Sequence, residues 1–286
     1  MANKTWVGTD TGNEGDWSVA ANWSPVNVPV DADDVYLENS SQDVTAGFDQ
    51  AAIALTSLNI AQSYTGVFDD YLNIGAATVR IGYHDGPTAT SLAGSAAIML
   101  DLDDTADTTT AITIENSGTS ATSGIPAIRI KEVPNVGSSL SARDGTAGLA
   151  FDTGDTTTIG TVNVTSDADV YIGAGVTLTT LSKQGGDCVL GCAATTVTNV
   201  KGPLKTVGSG AITTLNARGD TVTSNSTGTI TTLNADGGVT DFTKSSTART
   251  VTTLNVNDVG QVKLDPNVVT ITNAIASTDG INIRAA

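Results

Sequence analysis

Few side chains in this 286-residue chain could carry out chemistry, and each has a plain reading. The single histidine, His84, sits between turn residues in Gly82-Tyr-His-Asp-Gly86, with no nucleophile beside it to form a triad. Cys188 and Cys192 are the only cysteines. On one strand they would point the same way but stand about 13 Å apart, beyond disulfide reach unless a turn at Gly191 brings them together. They read as two free, half-buried thiols of a protein made in a reducing cytoplasm. No His and Cys spacing suits zinc. The acidic run Asp101-Leu-Asp-Asp104 with Asp107 offers carboxylate oxygens of the kind that hold Ca²⁺. It lacks the glycine and glutamate of a helix-loop-helix calcium loop and the glycine-rich nonapeptide of calcium β-rolls, so it reads as solvated loop carboxylates. Glycoside hydrolysis wants two carboxylates a few ångströms apart, and pairs such as Asp101 and Asp103, or Asp167 and Asp169, fit a strand face. Sugar grooves are also lined with aromatics, and after residue 83 there are only Phe151, Tyr171 and Phe242. The chain is therefore expected to be non-enzymatic, with no catalytic residues, cofactor or metal. The triplet Arg218-Gly-Asp220 is discounted as a chance match in a turn-rich sequence.

The elements that must position these residues announce themselves by repetition. Ala211-Ile-Thr-Thr-Leu-Asn216 returns as Thr229-Ile-Thr-Thr-Leu-Asn234 and as Thr250-Val-Thr-Thr-Leu-Asn255. Leu215, Leu233 and Leu254 lie 18 and 21 residues apart, with Gly, Asp, Asn and Ser between. Short β-branched segments at a near-constant interval are the mark of a solenoid, in which each coil buries its apolar face only against its neighbours. Looser copies place apolar residues at 162, 181 and 200, and Ile271-Thr-Asn-Ala-Ile275 prolongs the pattern. Coils this short exclude helix-pair repeats, and one leucine per coil is too few for leucine-rich repeats. The fold expected is an all-β, right-handed parallel β-helix with almost no α-helix.

Charge is uneven. The formal net charge is -17, of which residues 1–128 carry -15 and residues 129–286 carry -2. So acidic a chain does not bind nucleic acid or anionic membrane by counter-ion release. No apolar run approaches the ~18 residues needed to span a bilayer. The first residues, Met-Ala-Asn-Lys-Thr-Trp, show no apolar signal core or cleavage site, which argues against export by the general route.

The first fifty residues differ from the rest. Trp6, Trp17 and Trp23 are all here, and most tyrosines precede residue 84. Such a cluster at one end reads as a cap over the open core, or as an anchor for a partner, since aromatics bury large areas at low entropic cost. On the anchor reading Trp6, Trp17 and Trp23 would occupy the centre of a contact, with Asp31 and Asp33 meeting basic residues at its rim. The chain divides into a cap and attachment region over 1–50, irregular coils over 51–148, and regular coils over 149–286.

Trp6-x-Gly8, Trp17, Asn22-Trp23-x-Pro25 and Asp33-Asp-Val35 together resemble a module that opens bacterial and phage β-helix proteins. The resemblance covers about residues 5–60, and with no signal peptide ahead of it the chain looks like a phage virion protein assembled in the host cytoplasm. A compact β-helix of this kind is similar to capsid decoration (cement) or head-fibre proteins. That resemblance implies a homotrimer on the outer surface of the head, bound to the phage major capsid protein. A receptor-binding tail fibre or tailspike, and a bacterial surface adhesin, are the alternatives.

Overall fold

The structure, a computed structural model, describes residues 2–84, 93–94, 98–103, 109–120, 124–257, 259–276 and 283–285. It is a parallel β-solenoid of about ten turns. The one helical element among the described residues is the 3-10 turn Ala20–Asn22. The scarcity of helix follows from the sequence, because runs of Thr, Val and Ile broken by glycine favour the pleated surface over the helix.

Two parallel ladders run along the molecule. One takes a strand from each coil through Thr157–Val164, Val176–Lys183, Ala193–Asn199, Ile212–Ala217, Ile230–Ala235 and Arg249–Val256. The other takes Ile128–Ile130, Thr146–Leu149, Asp169–Ile172, Asp187–Leu190 and Leu204–Thr206. Strands of the first ladder turn a corner. In Thr157–Val164 burial alternates through Thr157 and Ile159, slips by one residue at Gly160, then resumes at Val162 and Val164. Pairing to the next coil skips the same place, passing from Ile159↔Leu178 to Thr161↔Thr180. A phase slip in a period-2 pattern re-aims the following side chains, so each coil has three sides and all three point apolar residues inward.

The repeated leucines lie where their spacing places them. Leu215, Leu233 and Leu254 are in register and buried. Upstream the same column holds Leu140, Val162, Leu181 and Val197. Each such side chain adds about 1.5–3 kcal/mol of burial. One expectation is corrected here: the coil after Leu181 is three residues shorter than a constant interval requires. Val197 takes the core position, and Val200 turns outward, 45% exposed. The outer face of this ladder carries small uncharged side chains. The Asn234 amide donates to the Asn216 Oδ1, and Asn255 to Asn234, each at 2.7 Å. Turns between coils are tight. Gly82 has φ +68°, and a Cβ there would lie 1.5 Å from the Asn116 carbonyl oxygen of the adjacent coil.

Candidate functional site

At the N-terminal end, Asn3–Trp6 pairs antiparallel with Trp23–Ser24, which sets Trp6 opposite Trp23, and pairs parallel with Asp34–Leu37 of the first coil. Trp17 completes a compact triad. Its ring stacks on Trp6 at 6.0 Å and meets Trp23 edge-on at 4.6 Å, while Trp6 and Trp23 lie 5.1 Å apart. The Trp6 indole N–H and the Tyr64 hydroxyl both donate to the Gln42 carbonyl, and the Trp23 indole donates to the Trp17 carbonyl. Asn22, fully buried, explains the Asn-Trp pair. Its amide donates to the carbonyls of Asn13 and Asp16, and its Oδ1 accepts the Asp10 N–H.

All three tryptophans are buried, with at most 1% of their surface exposed, so in the folded chain they close the core and offer no face to a partner. The two aspartates are also engaged within the fold. Asp33 is buried and accepts from the backbone N–H groups of Ala2 and Val30, and Asp31 accepts from that of Ala54. Of the five residues expected to form a contact, only Asp31 is exposed. The apolar surface of this end comes instead from Val26 and Val30, 66% and 58% exposed in the loop leading to Asp31.

The cysteines are free and fully inside the core, more deeply than their sequence suggests. Burial raises both thiols to about 12, so neither is a ready nucleophile. Nearby Lys183 is also buried, its ammonium donating to the carbonyls of Gly186 and Lys201, and desolvation lowers its pKa. His84 is exposed, while Asp104 and Asp107 lie outside the described residues.

A second constellation lies on the flank of the second ladder. Register there aligns Leu72, Leu100, Ile130, Leu149 and Ile172 in the core. The preceding residue of each rung points away from the core, giving the column Tyr71, Met99, Arg129, Gly148 and Tyr171, of which Met99 and Gly148 are covered by neighbouring side chains and buried. The Tyr71 hydroxyl donates to Asp152 at 2.5 Å, and Arg129 binds the same carboxylate at 3.1 Å while lying over the Tyr71 ring. Lys131 pairs with Asp101 at 2.8 Å and with Glu132 at 3.8 Å. Partial burial and neighbouring carboxylates hold Glu132 and Asp155 above the ordinary acid range. Gly148 leaves a gap in the column that Phe151 fills. A Cβ at 148 would sit 2.9 Å from that ring's own Cβ, and Phe151 meets Tyr171 edge-on at 5.1 Å.

Sequence reasoning named some of these residues singly but never joined them. Tyr71 and Asp152 are 81 positions apart, and the irregular coils between them carry no constant interval from which their alignment could be read. Among the described residues no group of three or more His, Cys, Asp or Glu side chains could hold a metal ion, and no helix is long and apolar enough to cross a membrane. No protein-family model, no curated protein and no solved structure matches the chain.

Proposed function

We propose that this chain is a non-enzymatic structural protein of a bacteriophage particle, a capsid decoration protein that sits as a homotrimer on the outer surface of the head. The N-terminal end docks on the major capsid protein. The observation that carries the reading is the difference between the cap and the coils behind it. The cap is a closed, internally hydrogen-bonded body built on three buried tryptophans, and it leads into an exposed loop with Val26, Val30 and Asp31. That loop lies in the part of the sequence that carries nearly all the net negative charge. Exposed apolar side chains beside an exposed carboxylate, Asp31, suit a partner surface that is apolar at its centre and basic at its edge.

Counting copies per purified particle tests the location. Hundreds of copies are expected for a head protein, whereas a handful of trimers would assign the chain to a tail fibre or tailspike. The docking end is tested with Val26→Asp combined with Val30→Asp, two exposed positions whose replacement leaves the tryptophan triad untouched. Loss of particle binding with an unchanged melting temperature is expected. Full occupancy by this variant would rule out the cap as the docking end.

A further inference from the structure

The flank column, which the particle role does not use, has the make-up of a binding site. Tyr71, Phe151 and Tyr171 lie along the solenoid axis rather than along one strand, because register stacks their rungs. With adjacent strands about 4.8 Å apart, Tyr71 and Tyr171 bracket a path of roughly 19 Å. All three rings are half-buried, each with part of its surface open to solvent. Beside them Asp152 takes hydrogen bonds from Tyr71 and Arg129, and the Arg129 Nε is buried with no hydrogen-bond partner. Asp155 and Glu132 stand close enough to Asp152, Asp101 and each other to interact electrostatically.

We infer that this flank binds a linear neutral oligosaccharide, laid along the solenoid axis with its rings against Tyr71, Phe151 and Tyr171 and its hydroxyls on Asp152, Asp155 and Arg129. Three features select that ligand class. Aromatic faces bury the apolar C–H face of a sugar ring at low entropic cost. Carboxylates paired with a guanidinium offer both acceptors and donors, which match a hydroxyl that both donates and accepts. Carboxylates outnumber cations here, with Asp101, Glu132, Asp152 and Asp155 against Arg129 and Lys131, so an acidic sugar polymer is repelled. Residues in successive rungs recur at about the length of one sugar unit, so one chain can engage several rungs at once.

The test uses the purified full chain, away from any particle, so that it stands apart from the decoration reading. Maltohexaose, cellohexaose, hexa-N-acetylchitohexaose and hexagalacturonate are titrated by calorimetry, with ligand-observed NMR to detect weak contacts. At least one neutral hexasaccharide is expected to bind. Tyr171→Ala and Phe151→Ala should each weaken it about tenfold or more, with Tyr36→Ala, at a half-buried tyrosine in the first coil, as an unaffected control. Tyr71→Phe keeps the ring and the fold and removes only the hydroxyl that meets Asp152, so it reports on the polar half of the site even where an alanine variant fails to fold. Failure of all three neutral sugars at millimolar concentration would overturn the inference. So would preference for hexagalacturonate, or affinity indifferent to Tyr171→Ala, Phe151→Ala and Tyr71→Phe alike.

Discussion

Cys188 and Cys192 keep their protons far into alkali, because burial raises both from an ordinary value of 9.0 to about 12. An unfolded chain releases these protons near 9, so between 9 and 12 the folded state binds more of them and stability falls as pH rises. Two thiols give a slope of at most about 3 kcal/mol per pH unit in that window. Lys183 works the other way below its ordinary 10.5, since its lowered pKa leaves the unfolded chain holding the extra proton and stability rising with pH there. Urea unfolding from pH 8 to 11 should therefore show a loss that is much reduced in the Cys188→Ala, Cys192→Ala double variant. An equal loss in that variant would place the alkaline sensitivity elsewhere. Asn22 makes a sharper case for a single side chain. Asn22→Ala removes the amide's donations to the Asn13 and Asp16 carbonyls, which keep the N–H groups of Asp16 and Val19, and leaves the Asp10 N–H without its acceptor. A loss of about 1–3 kcal/mol is expected in the same unfolding experiment. The sequence shows that Asn22 precedes a tryptophan. It does not show that its amide holds together the loop from Asp10 to Asp16, because those partners are backbone groups and carry no sequence signal.

Within one coil the inward and outward positions of a strand have very different weights. Leu233 packs between Leu215 and Leu254, and Leu233→Asp buries an unpaired carboxylate, at a cost of about 4–5 kcal/mol. Its neighbour Asn234 faces out in a ladder of side-chain amides, and Asn234→Ala should lose only about 1 kcal/mol. Thermal melts of the two variants check the contrast, and similar losses would mean that the outer ladder carries as much as the core. The inward column was legible from sequence wherever turns keep one length, as between Leu215 and Leu233. It failed at Val200, because a shortened turn shifts the frame while leaving the local Thr-Val texture unchanged. Corners were illegible for the related reason that a one-residue slip in burial at Gly160 looks, in sequence, like a continuous strand. The flank column of Tyr71, Arg129 and Tyr171 was lost to the same irregularity, since its rungs lie in coils of unequal length.

As a whole, the molecule is a stack whose backbone ladders join each coil to the coil before and the coil after, so its stability is close to a sum over neighbouring pairs, with the Tyr71–Asp152 hydrogen bond a side-chain contact that reaches across three rungs. Its parallel architecture was legible because repetition is a long-range signal that survives local error. The burial of all three tryptophans was not, since a cap and an anchor call for the same residue types. The strands Ile212–Ala217 and Ile230–Ala235 have identical sequences, ITTLNA, and are paired in register. One repeat can therefore be cut out between them at equivalent positions, and the shortened chain is structurally legal. Loss of residues 215–232 joins Thr214 to Leu233, brings Leu233 onto Val197, and leaves Leu204–Thr206 to meet Val239–Asp241. Even Arg249, which donates to the Ser224 carbonyl, would find the Thr206 carbonyl at the equivalent place one coil back. The shortened chain should fold with a β-rich circular-dichroism spectrum and one cooperative melt, and a molten or aggregated product would count against it. Length in such a molecule is thus quantised, in steps of one coil of about 4.8 Å, each of which can be removed without any change of fold.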